Sequence, residues 1–398
     1  MSIAKGRVFQ VLRGETPDQV PVAPAYLCLF LADFERAYYI DQYRRRMRGL
    51  DRYPVDHQED TRFRAQALYQ AYGIFKDRPD WMEISLGPSR SWAERTEIVD
   101  EDGVLYYEDG RTGERLPMDA SSLPWGSLVY ADEYGSRRDL WDTSEQVRSQ
   151  EQIDAHLPLP DPQTLLERGD FDLPRQVLAD YGDSVFITTL LDTPFSEAYS
   201  LLGFQGLMLI QHDCPKLFHY LLERQLEYTK RWMEAWATVG IHGVFAEEAF
   251  TSADLISPRA YDEFVFAYNQ PYFQHMRSLG LLPIHYVCGD TISRLERIAQ
   301  LDIAAVGVEE SKKKFTIEIE EVVRRVGGRV AVLGNIDAIR YGRNASLEDM
   351  AAEAKRQLGI GRQAKGFILS TGSPFPLDTN PRLVDAMVAT AHAFDSRA

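Results

Sequence analysis

The sequence predicts an α/β fold, a distorted (β/α)8 barrel of TIM type with an antiparallel insertion in its N-terminal half. Three observations carry this. In the second half, short apolar runs alternate with helical stretches, as right-handed βαβ crossovers and a parallel sheet require. Adding one early run near residue 22 and another near residue 84 brings the strands to about eight. An open doubly wound sheet is the rival, but no G-x-G-x-x-G follows the first strand.

Taken in order, Val20-Pro21-Val22-Ala23-Pro24 reads as an early strand punctuated by proline, and residues 34–48 as a basic helix. Residues 81–86, 91–99 and 104–108 look extended, with hairpin-type turns at Glu101-Asp102-Gly103 and Asp109-Gly110. The spacing places the insertion at about 80–145, inside one barrel domain spanning residues 1–398. Residues 150–165, rich in Pro and Asp, read as a connector.

Residues 185–190 are β-branched and apolar, like a buried strand. A helix over 215–239 ends at Gly240, and a strand follows at 242–246. Ser257-Pro258 opens a helix to about Leu279, with Ser as N-cap, Pro at the first helical position and a kink expected at Pro271. Strands are then expected at 282–287, 303–308, 329–333 and 366–369. Helices fall between them at 292–300, 317–326 and 346–358, the last capped by Ser346 with Asp349. Asn380-Pro381 caps the final helix.

Lys and Arg number 44 against 60 Asp and Glu, a net charge of −16. That balance disfavours nucleic acid, whose phosphates attract basic surfaces, and disfavours anionic membranes. Cys28, Cys214 and Cys288 are too few for a disulfide scaffold, and their odd number argues for a reducing compartment. The N-terminus lacks a signal-peptide apolar core, and no run of about 18 apolar residues exists, so a cytoplasmic location is expected.

Barrel active sites lie at the C-terminal ends of the strands, which singles out a few places. Glu247-Glu248 offers a metal ligand or a general base after a strand. His285-Tyr286-Val287-Cys288-Gly289-Asp290 offers imidazole and thiolate, both suited to zinc. His285 and Cys288 are three apart, so they converge only if the chain turns between them. Glu309-Glu310-Ser311 with Lys312-Lys313-Lys314 reads as a solvated charged loop. Asn335, after Gly334, either donates to a substrate or makes a turn. Ser370-Thr371-Gly372-Ser373-Pro374 is a small-residue loop after the last strand.

These landmarks resemble the uroporphyrinogen decarboxylase superfamily. The matching stretches are Gly14-Glu15-Thr16-Pro17-Asp18-Gln19-Val20-Pro21-Val22, Thr193-Pro194-Phe195, His212-Asp213-Cys214-Pro215, Leu255-Ile256-Ser257-Pro258, Cys288-Gly289-Asp290, Leu333-Gly334-Asn335 and Thr371-Gly372-Ser373. The resemblance implies a distorted barrel and one of two activities: cofactor-free decarboxylation of a porphyrinogen, or zinc-dependent methyl transfer involving a corrinoid. The decarboxylases carry an N-terminal Arg-rich motif for substrate carboxylates. Here that stretch reads Ala23-Pro24-Ala25-Tyr26-Leu27-Cys28, without Arg, which favours the methyltransferase branch.

The coenzyme M type of that branch has His-x-Cys and a second Cys after the last strand. Here His285 lies three before Cys288, and Ser373 stands at the second Cys. The O-demethylase type resembles this chain better. Its Glu…Glu…His pattern falls on Glu248, Glu263 and His285, with fourteen and twenty-one residues between them. The resemblance therefore implies zinc held by Glu248 and His285 with Glu263 or Cys288. Glu248 and His285 would be the catalytic pair, and Tyr286, Asn335 and Ser373 would line the substrate pocket. Zinc would act as Lewis acid on a small methylated substrate such as a methyl ether. The methyl acceptor would be a corrinoid carried by a corrinoid-binding partner protein. A homodimer stays open, as do two other readings, a decarboxylase and a non-catalytic binding protein on the same barrel.

Overall fold

In the computed structural model, residues 3–119 and 149–394 are described. The first strands are β1 (Arg52–Pro54), β2 (Trp81–Glu83), β3 (Thr96–Glu101), β4 (Val104–Asp109) and β5 (Arg115–Pro117). After them come β6 (Phe186–Asp192), β7 (Gly243–Glu248), β8 (Leu282–Val287), β9 (Ala305–Val308), β10 (Ala331–Leu333) and β11 (Phe367–Ile368). A parallel sheet runs β11-β10-β9-β8-β7-β6-β2. The early proline-punctuated stretch closes it. Val22 forms a parallel bridge to Leu369 just past β11. On its other side the Val22 carbonyl accepts Asp80 N at 2.8 Å, just before β2. The ring is thus the expected distorted eight-membered barrel, uneven because β2, β10, β11 and the Val22 stretch are so short.

The second sheet is antiparallel, in the order β1-β3-β4-β5. It starts at Arg52, earlier than the expected insertion, while Trp81–Glu83 belongs to the barrel. Residues 90–95 form a helix rather than a strand, because Ser89 accepts Trp92 N at 3.1 Å and caps one turn. The β3–β4 hairpin turns at Asp102-Gly103, where both residues have positive φ, as a type I′ turn demands. The later part of the expected insertion, 120–145, lies outside the described residues.

Elsewhere the helical readings hold closely. The helix Pro215–Val239 stops at Gly240, and Ser346 with Asp349 forms a complete capping box on Leu347–Gly361. Ser257 caps the next helix through Ala260 N. Its irregularity is a π turn over Tyr261–Phe266, ahead of Pro271. A wider turn loosens the ladder that proline cannot complete. No helix among the described residues is long and apolar enough to cross a membrane.

Two apolar layers meet at the strand wall. Inside the ring, Ala23, Tyr26, Trp81, Phe186, Phe245, Ile284, Tyr286, Leu333 and Ile368 fill the barrel. Outside it, Val244, Ala246, Val287 and Val306 pack against the helices. A strand buried on both faces shows no alternation of polarity, and β8 is buried at every position.

Candidate active site

Strand parity decides which side chains reach the barrel mouth. β7 and β8 pair in parallel with Phe245 opposite Ile284, Ala246 opposite His285, and Glu247 opposite Tyr286. Paired residues share a face, and successive residues alternate. Phe245, Ile284 and Tyr286 lie in the interior cluster, so Glu247 and Cys288 also face inward. Glu248 and His285 face outward, into the helix layer.

The outward pair is wholly enclosed. His285 Nε2 lies 3.4 Å from Glu248 Oε2, and both side chains are 0 % exposed. Thr251 Oγ1 donates to Glu248 Oε1 at 2.7 Å, and Asn269 Nδ2 donates to Oε2. Burial works to raise the Glu248 carboxyl, but His285, Thr251 and Asn269 outweigh it and hold it below the usual range. The Phe273 ring packs edge-on against His285, 4.8 Å between centroids. The Tyr261 hydroxyl, supplied by the π turn, acts on the same carboxylate.

The inward group sits at the mouth. Cys288 Sγ lies 3.7 Å from Glu247 Oε1. Burial pushes the Cys288 thiol well above its usual range, with Glu247 and Glu309 adding to the effect. The Glu309 carboxylate accepts Gly289 N at 3.1 Å. Burial raises Glu309; Lys312 and the Gly289 N–H oppose this, while Glu310 and Glu247 add to it. Gly289 has φ +79°, and a Cβ there would come within 2.6 Å of Ser252 Cβ. Tyr26 completes the group. Its ring meets Phe245 and Tyr286 edge-on at 5.2 Å from each. Its hydroxyl makes no hydrogen bond of good geometry. Burial raises that phenol, and Cys288 and Glu247 raise it further.

A family model described as uroporphyrinogen decarboxylase (URO-D) matches residues 111–394. The chain belongs to the uroporphyrinogen decarboxylase family.

Its relatives within that family are distant. The uroporphyrinogen decarboxylase of Tolumonas auensis is 26% identical over 263 residues, 64% of this chain and 71% of the relative. That of Salinispora tropica is 27% identical over 188 residues, so the match spans about half of each chain, 47% and 48%. Among solved structures, a methyltransferase from Methanosarcina mazei aligns over 99% of both chains with a TM-score of 0.64 and 17% identity, a likeness of fold.

Within this family fold, the residues expected at the site divide. Glu248 and His285 come together, but on the helix side of the wall. Cys288 faces the interior and Glu247. Glu263 is held elsewhere: its carboxylate lies 3.5 Å from His219 Nε2 and 3.7 Å from Arg259 Nε, with the side chain 37 % exposed. Two residues after Tyr261, which faces Glu248, a helical turn carries Glu263 to the opposite side of the helix. The set Glu248, Glu263, His285 and Cys288 is therefore not assembled. Among the described residues, no group of three His, Cys, Asp or Glu side chains stands close enough to hold a metal ion. The arrangement does not fit the implied zinc, and no step is derived through it.

The expected pocket residues serve as struts. Tyr286 Oη donates to the Gly372 carbonyl. Asn335 Nδ2 donates to the carbonyls of Glu309 and Ile317 at 3.2 and 3.0 Å. Ser373 Oγ donates to Glu310 Oε2 at 2.8 Å, and Lys312 Nζ reaches both Ser373 and Glu310. The loop expected to be solvated is thus partly internal: Glu310 is buried and Glu309 half-buried. Glu309 and Tyr26 escape a reading by residue type. Counting alternate positions from β9 is the signal that finds Glu309.

Proposed function

We propose that this member of the uroporphyrinogen decarboxylase family is a methyltransferase. It takes a methyl group from a small methylated molecule at the inner barrel mouth and passes it to a corrinoid carried by a partner protein. The observation that carries this reading is the charge of the mouth. Glu247 and Glu309 face it, and the nearby cation, Lys312, is engaged by Glu310 and Ser373. A porphyrinogen bearing several carboxylates needs cations to hold it, and carboxylates facing carboxylates repel. The Arg-free stretch from Ala23 to Cys28 agrees. The fold shared with a methyltransferase from Methanosarcina mazei supports the same branch.

A reduced corrinoid supplies the nucleophile for the methyl carbon. This chain's residues orient the donor and keep water away. Phe245, Trp81 and Tyr286 form a dry floor, and Glu247 and Glu309 stand above it. On the β6–β7 side the rim presents Leu190, Tyr199, Phe204 and Leu255, all exposed, and Tyr199 stacks on Phe250 at 4.2 Å. Exposed apolar side chains at a rim suit a docking partner. No residue is assigned to holding the corrinoid itself.

The test is direct. Purified protein, Co(I) cobalamin and a panel of methylated small molecules are mixed, and methylcobalamin is followed by its absorbance. Methyl transfer supports the reading. Loss of carboxyl groups from uroporphyrinogen, with no methyl transfer from any donor, overturns it.

A further inference from the structure

The methyl-transfer reading leaves the donor unnamed, and the inner mouth carries chemical information about it. Glu247 and Glu309 flank the Cys288-Gly289 turn, the first 3.7 Å from Cys288 Sγ and the second 3.1 Å from Gly289 N, and Glu247 is among the groups that raise Glu309 in this half-buried space. Glu310 already has Lys312 and Ser373. Lys312, itself engaged by Glu310 and Ser373, and the Gly289 N–H offset Glu309 in part. Carboxylates only partly compensated in a half-buried space favour a cation between them.

Tyr26 points the same way independently. It is 6 % exposed, its hydroxyl has no well-formed hydrogen bond, and its electrostatic partners are Cys288 and Glu247. Its backbone sits at φ 52°, a left-handed conformation that costs energy for a bulky residue. An orphaned buried hydroxyl is costly unless a ligand completes it. The Tyr26 hydroxyl lies beside Glu247, which raises it, and its oxygen can accept an N–H from a ligand at the mouth. Leu190, 42 % exposed, pairs with the inward Phe245 and supplies apolar surface for methyl groups.

We propose that the inner mouth takes a small N-methylated ammonium ion as methyl donor, with its N–H directed at Glu247, Glu309 and Tyr26. This rests on the methyl-transfer reading and narrows its substrate. In the transfer the C–N bond breaks and its electron pair stays on nitrogen. A neutral amine leaves, keeping its N–H proton. The electron pair of the new bond to carbon would come from the acceptor, a reduced corrinoid carried by the partner protein. A methyl ether would instead leave an alkoxide, whose negative charge would grow beside two carboxylates. The carboxylates hold the charged ground state, so they set affinity and selectivity rather than the rate of the chemical step.

Calorimetric titration of the full chain with trimethylammonium and with 2-methoxyethanol tests this. Trimethylammonium is expected to bind at least about tenfold more tightly, with affinity falling as salt rises. Glu247→Gln and Glu309→Gln should each weaken it about tenfold or more, and Glu309→Asp should recover part of the loss. Melting curves of each variant confirm that it is folded. Equal affinity for the ether and the ammonium ion, or unchanged affinity in both folded Gln variants, overturns the proposal. The two claims fail separately. Methyl transfer from an ether, with no ammonium binding, overturns the donor class and leaves the methyltransferase standing. Carboxylate-dependent ammonium binding, with no transfer from any donor, supports the cation site and overturns the methyltransferase.

Discussion

Glu247 and Glu248 are consecutive in β7 and stand on opposite faces of the barrel wall. Glu247 Oε1 lies 3.7 Å from the Cys288 thiol inside, while Glu248 Oε2 lies 3.4 Å from His285 Nε2 outside. One peptide unit thus separates a side chain at the mouth from one locked under the helices. The two should respond differently to the same substitution.

On the outer face, His285→Ala leaves Glu248 buried without its partner. Loss of one member of an enclosed pair costs about 3–5 kcal/mol. Urea unfolding should show His285→Ala destabilised by that order. Glu247→Gln at the partly open mouth should change the midpoint little. Equal stability losses in the two variants would contradict the division of the wall.

Gly289 ties the mouth together through its N–H to Glu309, at a φ that disfavours side chains. Gly289→Ala should lose about 1–3 kcal/mol of stability and weaken donor binding as well. Thermal melting with calorimetric titration checks both. An Ala variant with wild-type affinity would show that the Gly289 turn does not position Glu309.

His242 gives the stability of the barrel a pH dependence. Its Nδ1 accepts Ile187 N at 2.9 Å, and burial, then Lys5, lowers its pKa to about 4. Between about pH 6.5 and 4 the unfolded chain is protonated at His242 and the folded chain is not. Stability from this group is therefore complete above pH 6.5 and falls as pH drops toward 4, by about 1–3 kcal/mol. His242→Asn should flatten that slope in urea melts at stepped pH.

Asp80 works in the opposite direction. It accepts Val22 N at 2.8 Å at the barrel's closing seam, and burial raises its pKa to about 6. The folded state keeps a proton that the unfolded state has lost between about pH 4 and 6. Stability from Asp80 is full below pH 4 and declines as pH rises through 6, by about 2–3 kcal/mol. In Asp80→Asn the decline should vanish while the His242 slope remains. A single variant that removed both slopes would show that the groups are coupled.

Much of the fold is legible in the sequence because local chemistry marks it. Gly240 ends one helix and the Ser346–Asp349 box starts another without tertiary help. The site is less legible. Parallel strands buried on both faces hide the frame that says whether Glu247 or Glu248 points inward. Only pairing with β8 and the interior position of Phe245 fix it. Glu263 matches a spacing, yet the π turn that begins at Tyr261 sends it toward His219. Glu309-Glu310 with three lysines looks solvated by composition, but Lys312 folds back on Glu310 and leaves Glu309 at the mouth. Trp81–Glu83 is hard to place because its barrel partner, Phe186–Thr188, lies about a hundred residues away.

The central claim is that methyl transfer takes place at the inner mouth and not at the Glu248–His285 pair. Single-turnover methyl transfer from trimethylammonium to Co(I) cobalamin, followed at 25 °C in wild type, Glu247→Gln, Glu309→Gln and Glu248→Gln, tests it most directly. At subsaturating donor the account predicts that the two inner variants lose about tenfold or more of the transfer rate. It predicts that whatever fraction of Glu248→Gln remains folded transfers methyl at the wild-type rate. Inner variants at full rate, with a folded but inactive Glu248→Gln, would contradict it.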